Sequence, residues 1–146
     1  MLQKLLRTDD DLAGFIARLG LGIVFLPHGL QKTLGLFGGY GFSGTMQFFT
    51  QQAHLPAIVA FLIILTESVG ALSLIFGALG RVSALGVTCL MVAAILLVHL
   101  PNGFFMNWFG NQKGEGFEYH LLAIALATVV LVKGSGRWSV DRALSK

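Results

Sequence analysis

Charge is scarce in this chain: only 12% of its 146 residues are Asp, Glu, Lys or Arg, against about 25% in an average soluble domain. That excludes an ordinary water-solvated surface, and 55% hydrophobic residues fit a chain solvated by lipid. Cysteine is scarcer still. The single Cys89 lies in an apolar run without a CxxC partner, so no internal disulfide, dithiol or iron-sulfur ligand set can form. We read the thiol as a packing residue. A dinucleotide-binding glycine fingerprint is also missing, so the chain has no means of its own to carry electrons. The formal charge of +3 comes from tails and turns rather than a basic stripe, which sets nucleic-acid binding aside. After Lys4 and Arg7 no small-residue cleavage site follows, and the apolar stretch there contains Arg18, Pro27 and His28. It reads as a retained span, not a signal peptide.

What the sequence does have is long apolar runs, over residues 12–37, 56–76, 82–100 and 117–132. Each approaches the roughly 20 residues a membrane helix needs, the fourth being the shortest. The expectation is one all-α domain over residues 1–146, an integral membrane four-helix bundle. Asp9 to Asp11 supply an N-cap and acidic first turn for the first helix, the Gly-Ala-Leu-Gly-Arg turn at 77–81 makes helices two and three antiparallel neighbours, and Gly134 and Gly136 end the fourth. Lys4, Arg7, Arg81, Lys133, Arg137, Arg142 and Lys146 sort to one side, and Lys32 and Lys113 to the other. This bias predicts that both termini are cytoplasmic. The two outer connections carry Phe42, Met46 and Phe49 at helical spacing, and Phe104, Phe105, Trp108 and Phe109. They are expected to lie in the interface as lids, or to serve only as an aromatic belt.

Ionisable residues inside spans are costly and usually face partners, so their depths matter. At about 1.5 Å rise per residue, Arg18 lies about 9 Å from the cytoplasmic end and His28 about 24 Å, with Lys32 near the outer boundary. Arg18, Phe25, His28 and Lys32 share one stripe beside Gly22 and Gly29. Glu67 falls near the midplane and His99 level with His28, while Glu118 and His120 open the fourth helix. Two layers follow: a structural ion pair of Arg18 with Glu67, and an outer polar cluster of His28, Lys32, His99, Glu118 and His120. The histidines could equally be buried structural groups, and His120 could point to water.

These residues carry a wider pattern. Arg18 is followed by HGLQK at 28–32, GGYGFSGTM at 38–46, TESVGALSLIFGALGR at 66–81, MVAAILLVH at 91–99, NGFFMNWFGNQKGEGFEYHLL at 102–122 and GSGRWSVD at 134–141. In this order the chain resembles the DoxX family of small bacterial membrane proteins. The resemblance implies a four-helix bundle in the bacterial cytoplasmic membrane and an association with quinone-linked redox chemistry. The family's recurring positions correspond to Arg18, His28, Gly29, Lys32, Glu67, Arg81, His99 and Glu118, all present.

The expectation for function is therefore a redox-associated protein that binds a quinone or phenolic ligand in an outer-leaflet pocket. His28, His99, Lys32 and Glu118 are the candidate catalytic residues, and Phe25, Trp108 and His120 the candidate ligand contacts. Histidine and lysine can donate to quinone carbonyls and exchange protons, and aromatic side chains can flank the ring. A b-type haem between His28 and His99, or a divalent metal at His28, His99, Glu118 and His120, is chemically allowed. Lipid, a redox partner protein and a second copy of the chain are the expected associates. The rival readings are a small-solute or proton carrier along Arg18, Glu67 and His28, and a subunit with no ligand of its own.

Overall fold

Asp11 stops the chain from fraying at its first long helix: its carboxylate accepts the Gly14 N–H at 2.8 Å, satisfying a donor that the helix cannot. The computed structural model describes residues 2–145, the side chains of Leu2 and Lys4 excepted, and every regular element among them is helical. Lys146, counted in the charge sorting, lies outside the described residues. A short α1 (Leu2–Leu6) precedes α2 (Leu12–Leu34). The latter ends at Leu34, three residues before the predicted end of the span, and is capped by Gly35 with φ of 72°. The connection after α2 forms α3 (Gly41–Gln47), which runs on as a π turn over Phe48–Gln52.

Two further long helices, α4 (Ala57–Phe76) and α5 (Gly80–Asn102), are joined by the tight turn that the glycines predict. Together with α2 they are the three helices among the described residues long and apolar enough to cross a membrane. The second lid leads to α6 (Glu118–Lys133), 16 residues long and packed against α2 and α5, and a short α7 (Val140–Leu144) closes the described chain. Ala17, Leu21 and Phe25 of α2 meet Ala71 and Leu74 of α4, Val87 and Met91 of α5, and Ala123 and Ala127 of α6 in one core. So many alanines at the contacts bring the backbones close, as van der Waals packing between membrane helices requires. The outward faces, by contrast, expose Leu97, Leu122 and Val132. In lipid that is no penalty.

The expected ion pair of Arg18 with Glu67 is not formed. Arg18 is 1% exposed, and its five N–H bonds go to five backbone carbonyls: Leu74, Ile75, Ser135, Arg137 and Trp138, at 2.5 to 3.1 Å. The first two belong to the last turn of α4, whose negative dipole end the guanidinium neutralises. The other three come from the segment after α6. The reason is the lean of helical side chains toward their own N-terminus. Arg18 leans toward the start of α2, whereas Glu67, on an antiparallel helix, leans the opposite way. Lys32 on α2 leans toward Glu67, and these two form the ion pair.

The segment that serves Arg18 crosses beneath α2 with Gly136 at φ of 70°, a conformation favouring glycine, where a Cβ would also meet the Asp11 carbonyl and the backbone of Gly14 and Phe15. Just beyond it Asp141, 2% exposed, accepts from the Leu79 N–H at 2.6 Å, the Gly80 N–H at 2.9 Å and the Ser135 hydroxyl at 2.6 Å. Leu79 is a non-glycine residue at φ of 52°, and the carboxylate holds that strained turn in place. The carboxyl-terminal segment thus joins the start of α2, the α4–α5 turn and the end of α6.

Candidate functional site

Gly29 brings α2 and α4 so close that a Cβ there would overlap the Glu67 carbonyl group and the Ser68 Cα. The partner stretch, Thr66–Gly70, is a π turn, and His99 ends another, on α5, over Ile95–His99. Extra residues in these turns rotate the side chains that follow, a device common at functional sites. Both Glu67 and His99 consequently face a cavity of about 390 Å³, a volume in the usual range for a small-molecule site.

Four of the predicted polar residues line this cavity: His28, Glu67, His99 and His120, with Phe25 as an aromatic wall. His99 and His120 lie with ring centres 4.1 Å apart at an angle of 46°. The His99 Nδ1 donates to the Glu115 carbonyl at 2.8 Å, and because a carbonyl only accepts, the neutral ring is left with its lone pair on Nε2. His120 is 5% exposed, buried rather than turned to water, and its Nδ1 has no protein partner. His28 is exposed at the cavity rim.

Other predicted members stand elsewhere. Lys32 is held by Glu67 and lines a separate cavity of about 260 Å³ beneath α3, with Tyr40 and Thr45. The ion pair therefore stands between the two cavities. Glu118 does not reach Lys32 or a histidine; its Oε1 accepts the Met106 N–H at 3.0 Å and the Trp108 indole N–H at 3.3 Å. The indole itself is 79% exposed and does not line the cavity. Glu118 and His120 sit on opposite sides of the α6 start, so one carboxylate ties the second lid while the ring faces inward. Glu115 ties the same lid, accepting the Asn107 N–H at 2.6 Å. Among the described residues no group of three or more His, Cys, Asp or Glu is placed to hold a metal ion.

Sequence reasoning missed several cavity residues. Tyr119 packs edge-on to His120 with ring centres 5.5 Å apart, and Met91 and Met106 add adaptable walls. Tyr119 could have been found from its place beside two polar residues at a helix start. Glu115 enters through its carbonyl, which no side-chain pattern announces.

Comparison with known proteins agrees with this picture. The DoxX family model matches residues 13–100, α2 through nearly all of α5. The chain is 29% identical over 116 residues to a Bacillus subtilis (strain 168) protein named "Putative oxidoreductase CatD", covering 80% of this chain and 76% of that one. It is 26% identical to the inner membrane protein YqjF of Escherichia coli (strain K12), over 94% and 95% of the two chains. Against the membrane protein Rv3486 of Mycobacterium tuberculosis (strain ATCC 25618 / H37Rv) identity is 31%, over 98% and 88%. No solved structure matches the chain. With a family model covering more than half its length and three apolar helices of membrane-spanning length, this multi-pass membrane protein belongs to the DoxX family.

Proposed function

We propose that the chain is a four-helix protein of the bacterial inner membrane, both termini cytoplasmic, that binds a quinone or phenolic molecule in the cavity of His28, His99 and His120. The observation that carries the reading is the pair of His99 and His120 rings, 4.1 Å apart and tilted, which line one cavity together with His28 and Glu67. A quinone carbonyl accepts a hydrogen bond, and a phenolic hydroxyl donates one. The Nε2 of His99 is the acceptor for such a hydroxyl and, once it carries that proton, the donor to a quinone carbonyl, and His120 is the second group able to exchange a proton. Phe25 and Tyr119 flank a planar ring. Electrons come from a redox partner protein, and the relative named as an oxidoreductase supports a redox setting.

The carrier reading loses its path, because Arg18 is saturated by carbonyls and borders no part of the cavity. For orientation, Arg7, Arg81, Lys133, Arg137 and Arg142 gather at the end where α2 begins and α4 finishes, which supports cytoplasmic termini. Equilibrium binding of tetramethylbenzoquinone to the purified protein tests the function. The parent protein binds, whereas His99→Gln and His120→Gln lose about tenfold or more, the worth of one hydrogen bond to a desolvated group, without a change in purification yield. Equal binding by parent and variants, or no binding by the parent, removes the quinone reading.

A further inference from the structure

The cavity of about 260 Å³ beneath α3 plays no part in the function proposed above, and its chemistry differs from that of the histidine cavity. It forms because α2 is capped at Gly35 and the chain doubles back. Gly39 then lies so close to the Gln31 backbone that a Cβ would overlap the Gln31 carbonyl, and α3 is laid against α2. Lys32 carries the one charge among the described lining residues, beside Gln31 and Thr45, and the Tyr40 and Phe48 rings stack with centres 6.2 Å apart. Thr45 is 4% exposed, and its hydroxyl has no partner in the protein. Thr33, Thr50, Thr88 and Thr128, by contrast, each donate to the carbonyl four residues back, the usual use of a helical threonine.

Donors dominate this cavity. The Lys32 ammonium has three N–H bonds, and Glu67 meets it through one carboxylate oxygen, Oε2. The Thr45 hydroxyl adds a fourth donor. We infer that the cavity binds a phosphate-type oxyanion, held by the Lys32 ammonium and the Thr45 hydroxyl. Such an anion accepts several hydrogen bonds at once, and those from a charged donor are the strong ones. Its place in the molecule selects phosphate among oxyanions. The cavity lies at the end of α2 away from the basic cluster, under a helix whose Tyr40 and Phe42 are 75% and 46% exposed, and aromatic side chains of that kind sit at the level of lipid headgroups. A lipid phosphodiester and free phosphate present the same chemistry there. Glu67 is the anion's competitor, because both call on one ammonium.

The melting temperature of the purified protein in detergent is followed against three probes: inorganic phosphate, dioleoyl phosphatidylglycerol, and dioleoylglycerol, which has the same chains and no phosphate. The protein is kept reduced, because Cys89, expected as a packing residue, is exposed. A phosphate-bearing probe raises the melting temperature with its concentration, and dioleoylglycerol does not. A rise with phosphatidylglycerol, alone or beside phosphate, marks a lipid headgroup as the occupant, and a rise with inorganic phosphate alone marks a soluble oxyanion. Thr45→Val removes a hydroxyl that bonds nothing in the protein, so it keeps the probe-free melting temperature while weakening the phosphate-bearing probe about tenfold, as loss of a hydrogen bond to a charged group does. Lys32→Met abolishes the rise. Glu67→Gln strengthens binding severalfold by freeing the ammonium, the reverse of what a general loss of structure would do. His99→Gln, in the other cavity, leaves the rise unchanged. The inference is overturned if neither phosphate-bearing probe acts, if dioleoylglycerol acts equally, if Thr45→Val and Lys32→Met respond like the parent, if Glu67→Gln weakens binding, or if His99→Gln removes it.

Discussion

Lys32 reaches back along α2 to meet Glu67 on α4, so the one carboxylate in the middle of α4 is neutralised from the lid end of the molecule and not from Arg18. Both side chains are largely buried, 21% and 11% exposed. A pair in that setting is costly to break from one side and cheap to remove whole. We expect Lys32→Met and Glu67→Gln each to lower thermal stability in detergent by about 3 kcal/mol, and the double variant to recover much of the loss. Thermal unfolding of the three variants checks this. Losses that simply add would show that the two charges do not depend on each other.

Arg18 makes a separate prediction. Its planar fork of donors matches five carbonyls, and a lysine ammonium has three donors and the wrong shape. Arg18→Lys should therefore destabilise by about 2 to 5 kcal/mol despite keeping the charge, through carbonyls left unsatisfied. Asp141→Asn, which weakens the hold on the strained Leu79 turn, should fall in the same direction. Melting temperatures compared with those of Glu67→Gln separate the two centres, since Arg18→Lys and Glu67→Gln should add when combined.

At the start of α2, the Gly14 N–H bonded to Asp11 holds its carboxyl below the ordinary value of 3.8, with Lys133 adding to the effect against partial burial. A lowered folded-state value gives stability that is present above the ordinary carboxylate range and lost as pH falls through the folded value. Asp11→Ala should cost about 1 kcal/mol at neutral pH. In acid the difference between parent and variant should vanish. A gap that persists at low pH would mean that the cap does not act through its charge.

The second lid depends on two carboxylates. Glu118→Gln keeps an acceptor for Met106 and Trp108, whereas Glu118→Ala removes it, so only the alanine variant should loosen the loop. Amide exchange at residues 103–117 provides the measurement, with faster exchange expected in Glu118→Ala alone. Faster exchange in both variants would point to the charge and not to the hydrogen bonds.

Orientation has its own check. A reporter fused after the carboxyl terminus should behave as cytoplasmic, because Arg81, Lys133, Arg137 and Arg142 lie on that side. Periplasmic activity at that fusion would reverse the assignment.

The helices were readable because lipid demands long apolar runs, and glycines and Asp11 mark their ends. Cavity membership was readable for Phe25, His28 and His99, whose depths could be counted. The pairing was not. Depth counting places Cα atoms, but a long side chain travels several ångströms toward its own N-terminus, which carries Lys32 to Glu67 and Arg18 away from it. Nor could the sequence announce the π turns at Thr66–Gly70 and Ile95–His99, since the shift that produces them is a backbone response to packing. The service of Ser135, Arg137 and Trp138 was hidden for a simpler reason: their contribution is a carbonyl, which every residue has.

That contribution also sets a clock on biogenesis. Arg18 enters the membrane with the first long helix, yet its contact with Trp138 spans 120 residues of chain. At about 5 to 20 residues per second of synthesis, the guanidinium waits roughly 6 to 24 seconds for its last acceptors to be made. Until then only the Leu74 and Ile75 carbonyls are there to hold it. A chain that stops short of residue 135 lacks the other three carbonyls that hold Arg18.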